Sequence, residues 1–77
     1  MKRGITARQR EVLTYVADYI CANGYPPTLR EIAAHFGWAS CLAAGDHLRA
    51  LEKKGFITRT PMISRGLALT PAGVEQL

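Results

Sequence analysis

Between Thr28 and Gly55 two helix signals stand only four residues apart, and that spacing limits what the chain can fold into. Thr28-Leu29-Arg30-Glu31 is a capping box: the threonine hydroxyl accepts from the Glu31 amide and the Glu31 side chain reaches back. Leu29, Ile32, Ala33 and Phe36 form an apolar stripe behind it, and Gly37 is a left-handed stop. A short helix over Leu29–Phe36 follows. Gly37-Trp38-Ala39-Ser40 leaves room for a turn and nothing more, and Ser40 is a good N-cap. A longer helix is expected over Cys41–Lys54, buried through Ala44, Leu48 and Leu51, with His47 on its flank. Lys53 and Lys54 sit in its last turn, where cations suit the helix dipole, and Gly55 ends it. Short capped helix, Gly-containing turn, longer helix is the pattern of a helix-turn-helix, placed at about 28–54.

The flanks complete a fold. Thr6-Ala7-Arg8-Gln9 is another capping box, followed by Val12, Leu13, Val16, Ala17, Ile20 and Cys21 at helical spacing. Asn23-Gly24 stops that helix, expected over Ala7–Ala22. Tyr25-Pro26-Pro27 favours extended backbone. Beyond Gly55 the period changes. Phe56-Ile57-Thr58-Arg59 and Gly66-Leu67-Ala68-Leu69-Thr70 read as two strands, joined through Pro61 into a hairpin. Thr70-Pro71 opens a further helix, expected to bury little before Leu77. The expected fold is α+β and mostly α, a winged helix-turn-helix. One domain over 1–77 has three helices followed by a two-stranded β-hairpin wing at about 56–70.

The 77 residues are 48% hydrophobic, enough for one small core without disulfides or metal. Cys21 and Cys41 form no C-x-x-C pair and no zinc spacing, so free, buried or half-buried thiols are expected. No apolar run suits a membrane span and no signal peptide is evident, which predicts a cytoplasmic protein. Ten Lys and Arg against six Asp and Glu give a net charge of +4, which favours a polyanionic partner. No nucleophile, base and orienting group can be assembled, so neither an enzyme nor a cofactor is expected. His35 and His47 read as structural, and Tyr15, Tyr19 and Tyr25 as core edge or surface. Trp38 either packs under the third helix or stacks on DNA.

An α-helix fits the major groove of B-DNA, so the third helix is the expected reader and the second its brace. The wing brings Ser64-Arg65-Gly66, a cation beside a flexible residue, toward phosphates or the minor groove. A solvated loop arginine is the plainer reading of Arg65.

Several segments carry a resemblance at family spacing. They are Thr6-Ala7-Arg8-Gln9-Arg10-Glu11-Val12, Pro26-Pro27-Thr28, Glu31-Ile32-Ala33, Ala43-Ala44, His47-Leu48-Arg49-Ala50-Leu51, Lys54-Gly55 and Ser64-Arg65-Gly66. Along nearly its whole length the chain resembles the N-terminal DNA-binding domain of the LexA repressor family. The resemblance implies operator reading by the third helix, repression of transcription and a place in the SOS response. It also implies that the positions of Ser40, Leu42, Ala43, Gly45 and Asp46 face the groove. Here the chain departs from the family, which usually has Asn at Leu42 and Glu at Gly45. Leu42 cannot pair bidentately with adenine, whereas Leu42 and Ala43 can touch thymine methyls. Asp46 either accepts from a cytosine amino group or repels wrong sites. Gly45 either admits close approach to DNA or is neutral. The family's self-cleaving Ser-Lys region is not found, and Ala72-Gly73 reads as helix-initiating sequence, not as a cleavage site.

The expected partner is double-stranded DNA, with no membrane and no small-molecule ligand. The base-reading candidates are Ser40, Leu42, Ala43, Gly45, Asp46 and Arg49. The backbone candidates are Thr28, Arg30, Ser40, Lys53, Lys54, Ser64 and Arg65. The free protein is expected to be a monomer or weak dimer, paired on DNA if at all. The alternative is a winged-helix module that binds protein, with weak or no DNA binding.

Overall fold

The structure, a computed structural model, describes residues 4–60 and 66–77. The element order is α1 (Ala7–Asn23), α2 (Leu29–Phe36), α3 (Cys41–Lys53), β1 (Ile57–Arg59), β2 (Leu67–Leu69) and α4 (Pro71–Glu75). The helix starts are set by the local chemistry of their caps. Both capping boxes close in both directions: Gln9 N–H donates to Thr6 Oγ1 at 3.1 Å and Thr6 N–H to Gln9 Oε1 at 3.2 Å. At α2 the matching distances are 3.2 Å and 2.8 Å, between Thr28 and Glu31. Gly37, at φ 73°, reverses the chain after α2, and the Trp38 N–H returns to the Ala33 carbonyl at 2.9 Å. α1 runs one residue further than its capping pattern suggests, and α3 ends at Lys53 with Lys54 as its cap.

The helices meet around one cluster. α1 gives Val12, Leu13 and Val16, α2 gives Ile32 and Ala33, and α3 gives Ala44, Leu48 and Leu51. Phe56 and Ile57 close it from the hairpin side. A small domain has this one apolar nucleus to offset its ordering entropy, which is why the hairpin folds back on the helices.

β1 and β2 pair antiparallel with Ile57 opposite Leu69, Thr58 opposite Ala68 and Arg59 opposite Leu67. Hydrogen bonds from Thr70 N–H to Phe56 O and from Thr60 N–H to Gly66 O carry the ladder outward at both ends. The strands are therefore shorter than the expected 56–59 and 66–70, but the pairing reaches the same residues.

The helix after the hairpin is formed and buries little, as expected: Val74 and Leu77 are about half exposed, and one glycine is the close contact. Gly73 is buried, and a Cβ built there would lie 2.0 Å from the Phe56 carbonyl oxygen. Only a residue without a side chain allows α4 this close to the base of β1. Arg10 adds a second tie, donating from Nη1 to the Gln76 carbonyl at 2.6 Å. One expectation is corrected: the thiols, expected buried or half-buried, are both free and exposed. Cys21 lies near the C-terminal end of α1, beyond the core residues Val12, Leu13 and Val16. With Ala17, Ile20, Leu67, Leu69, Val74 and Leu77 it borders an open apolar groove of about 480 Å³.

Candidate nucleic-acid interface

α3 has two opposite faces. Ala44, Leu48 and Leu51 point into the core, held by α1 and α2. Leu42, Asp46, Arg49 and Lys53 recur at helical spacing on the far side, and all four are exposed. Ala43 and Ala50 flank that stripe half-buried. The split follows from the 3.6-residue period: burying one stripe of a helix presents the other to solvent.

The brace beneath α3 is aromatic as well as aliphatic. Phe36 stacks on Trp38 at 4.8 Å between centroids, and Trp38 stacks on His47 at 5.0 Å. Trp38 therefore packs under α3. The same run continues through His35 and Tyr15, stacked at 4.0 Å, to Tyr19 and Tyr25. Burial first, then the nearby Tyr19 and Glu31 charges, raises the Tyr15 pKa above its ordinary value of 10.0.

The candidate residues fall in different places. Ser40 caps α3, its Oγ accepting from the Leu42 N–H at 3.0 Å. Asp46 and Arg49 pair with each other across one turn at 3.1 Å, both largely exposed, so the bond is screened and weak. Gly45 is half-buried on the α2 side, where an added Cβ would meet Leu29 Cδ1 at 3.9 Å. That is ordinary van der Waals distance, so the position belongs to the α2–α3 seam and a small side chain would fit it. Thr28 is committed to its capping box, and Arg30 is exposed on α2.

Lys53 and Lys54 diverge although adjacent. Lys53 is exposed in line with Arg49. Lys54 turns inward, its Nζ donating to the Gly4 carbonyl and to Gln9 Oε1, each at 2.8 Å. Gln9 Oε1 also receives the Thr6 N–H, so the end of α3 is fastened to the cap of α1. Ser64 and Arg65 lie outside the described residues. The hairpin stem adds one cation that sequence reasoning passed over. Arg59 is exposed at the distal end of β1, opposite Leu67; it shares the face of buried Ile57, so strand alternation gave no signal for its exposure. Arg30, Lys53 and Arg59 make no ion pair among the described residues.

A braced helix with a free outer face, followed by an antiparallel hairpin carrying a cation on its stem, defines the winged helix-turn-helix class. The fold matches S. aureus MepR, solved in complex with DNA, at a TM-score of 0.74 and 25% identity over 94% of this chain and 51% of that one. The particular family is equally plain: residues 2–66 match the LexA DNA binding domain, and the chain belongs to that family. It is 55% identical over 65 residues to the LexA repressor of Sorangium cellulosum and 51% identical over 73 residues to that of Anaeromyxobacter sp. strain Fw109-5. These alignments cover 84% and 95% of this chain but 28% and 32% of those proteins, so the chain spans about a third of its relatives' length. α4 lies beyond the residues that the family model matches.

Proposed function

We propose that this chain binds double-stranded DNA in a sequence-specific way, with α3 in the major groove, and regulates transcription as a LexA-like repressor, in the SOS response as its relatives' name implies. The observation that carries this reading is the exposed Leu42, Asp46, Arg49 and Lys53 stripe, set opposite the core stripe of the same helix. Ser40, Leu42, Ala43, Asp46 and Arg49 are the residues offered to base edges, and Gly45 acts on them from the seam by setting how closely α2 and α3 approach. Thr28, Arg30, Ser40, Lys53, Ser64 and Arg65 hold phosphates, and Arg59 joins them from the wing stem. Lys54, an expected phosphate contact, serves instead as an internal clamp that fixes the pitch of α3.

No described helix is long and apolar enough to cross a membrane, in keeping with a cytoplasmic regulator. The chain acts by binding and not as an enzyme, and the free protein is a monomer or weak dimer. A second reading, a protein-binding module, rests on the exposure of Leu42, at 77%. Selection of bound duplexes from a random library separates the two. Enrichment of a shared sequence is expected, and failure to shift any duplex at low salt would favour the protein-binding module. Arg65→Ala should weaken binding to all selected sequences alike, because phosphate contacts position and base contacts specify.

A further inference from the structure

The face that α3 offers begins with a leucine. Among the described residues Leu42 is the most exposed of the large apolar side chains, at 77%, and it stands in the first turn, the end of a recognition helix that reaches base edges. Around it the first turn has almost nothing to hydrogen-bond with. Ala39 and Cys41 are exposed, Ala43 is half-buried, and the Ser40 oxygen already accepts from the Leu42 N–H at 3.0 Å. The next polar group on the stripe, Asp46, is one turn away and held by Arg49.

The major groove displays donors and acceptors at every base pair but only one kind of apolar group, the C5 methyl of thymine. Leucine set against guanine, cytosine or adenine edges would desolvate them without offering a partner, which disfavours those bases. Against thymine it buries apolar surface on both sides. We propose that Leu42 is a specificity-determining residue that reads a thymine methyl group. The inference rests on the DNA-binding reading above and names the chemistry that α3 selects. Four residues of helix rise about 6 Å, roughly two base-pair steps, so the methyl contact falls within a step or two of whatever Asp46 meets.

The test starts from sites selected from the random library. Each thymine is replaced singly by deoxyuridine, which removes the methyl and leaves base pairing intact. Wild-type protein should lose about fourfold in affinity at one or two thymines and nothing elsewhere. Leu42→Ala, a change at an exposed position, should bind the thymine and uracil forms of that site alike. Leu42→Asn should move the selected base at that position from thymine toward adenine. If deoxyuridine costs nothing at any position, or if Leu42→Ala keeps the same penalty, the proposal is overturned while sequence-specific binding stands. If selection yields no shared sequence, the DNA-binding reading fails and this inference fails with it.

Discussion

The ammonium of Lys54 lies 2.8 Å from the carbonyl oxygen of Gly4, joining the end of the third helix to the segment that precedes the first. Its neighbour Lys53 is exposed and makes no such bond among the described residues. Two adjacent lysines therefore have different work, and the difference is measurable. If about four phosphates are engaged, log affinity should fall against log salt with a slope near −3.6. Lys53→Gln should reduce the steepness of that slope by about 0.9. Lys54→Gln should leave it unchanged while lowering unfolding free energy by about 1–2 kcal/mol, the scale of a charge-assisted hydrogen bond. Fluorescence anisotropy across a salt series and urea unfolding read the two effects. A reduced slope for Lys54→Gln would return that residue to the DNA.

Gly73 makes a second prediction. Since a Cβ there would sit 2.0 Å from the Phe56 carbonyl oxygen, Gly73→Ala must push α4 off the hairpin base. A loss of roughly 1–3 kcal/mol is expected from such overpacking, against a change of a few tenths for Ala72→Gly on the exposed side of the same turn. Thermal unfolding of both variants checks it. Equal stability of Gly73→Ala and the parent would mean that α4 is not docked.

Tyr15 sets a limit at high pH. Its folded-state pKa is raised, so the folded protein holds the phenolic proton more tightly than the unfolded chain. The stabilisation is fully present below the unfolded value of 10.0 and is lost as pH rises through the higher folded value. Stability should therefore decline above about pH 10, and Tyr15→Phe should flatten that part of the decline. Denaturant midpoints measured from pH 8 to 11 decide it. An identical alkaline slope in the variant would place the loss elsewhere.

Association is the fourth prediction. Val74 and Leu77 are each about half exposed beside the apolar groove, and neither belongs to a long apolar helix face. Sedimentation equilibrium should find a monomer, or at most a weak dimer, at micromolar concentration. Two half-sites in phase on one duplex should bind a pair of chains through proximity. A tight dimer abolished by Val74→Asp would identify the groove as its interface.

Much of this protein is legible residue by residue because its signals are local. A capping box needs four consecutive residues, and those at Thr6 and Thr28 form as their spacing demands. Ser40 and the helical period of Ala44, Leu48 and Leu51 are enough to orient the third helix, and with it the exposed face of Leu42, Asp46 and Arg49. Only the tertiary structure decided what the ambiguous residues do. Gly45 reads equally well as a gap for DNA or as nothing until Leu29 is seen beside it. Lys54 reads as a phosphate contact in the sequence, and the partners its ammonium takes in the structure, Gly4 and Gln9, come from about fifty residues away. Cys21 keeps the period of a buried stripe but is exposed, because burial requires a partner and Cys21 borders an open groove instead of the core that takes Val12, Leu13 and Val16. Periodicity states which side chains share a face, whereas the partners of that face come from distant parts of the chain and exist only once the chain has closed around them.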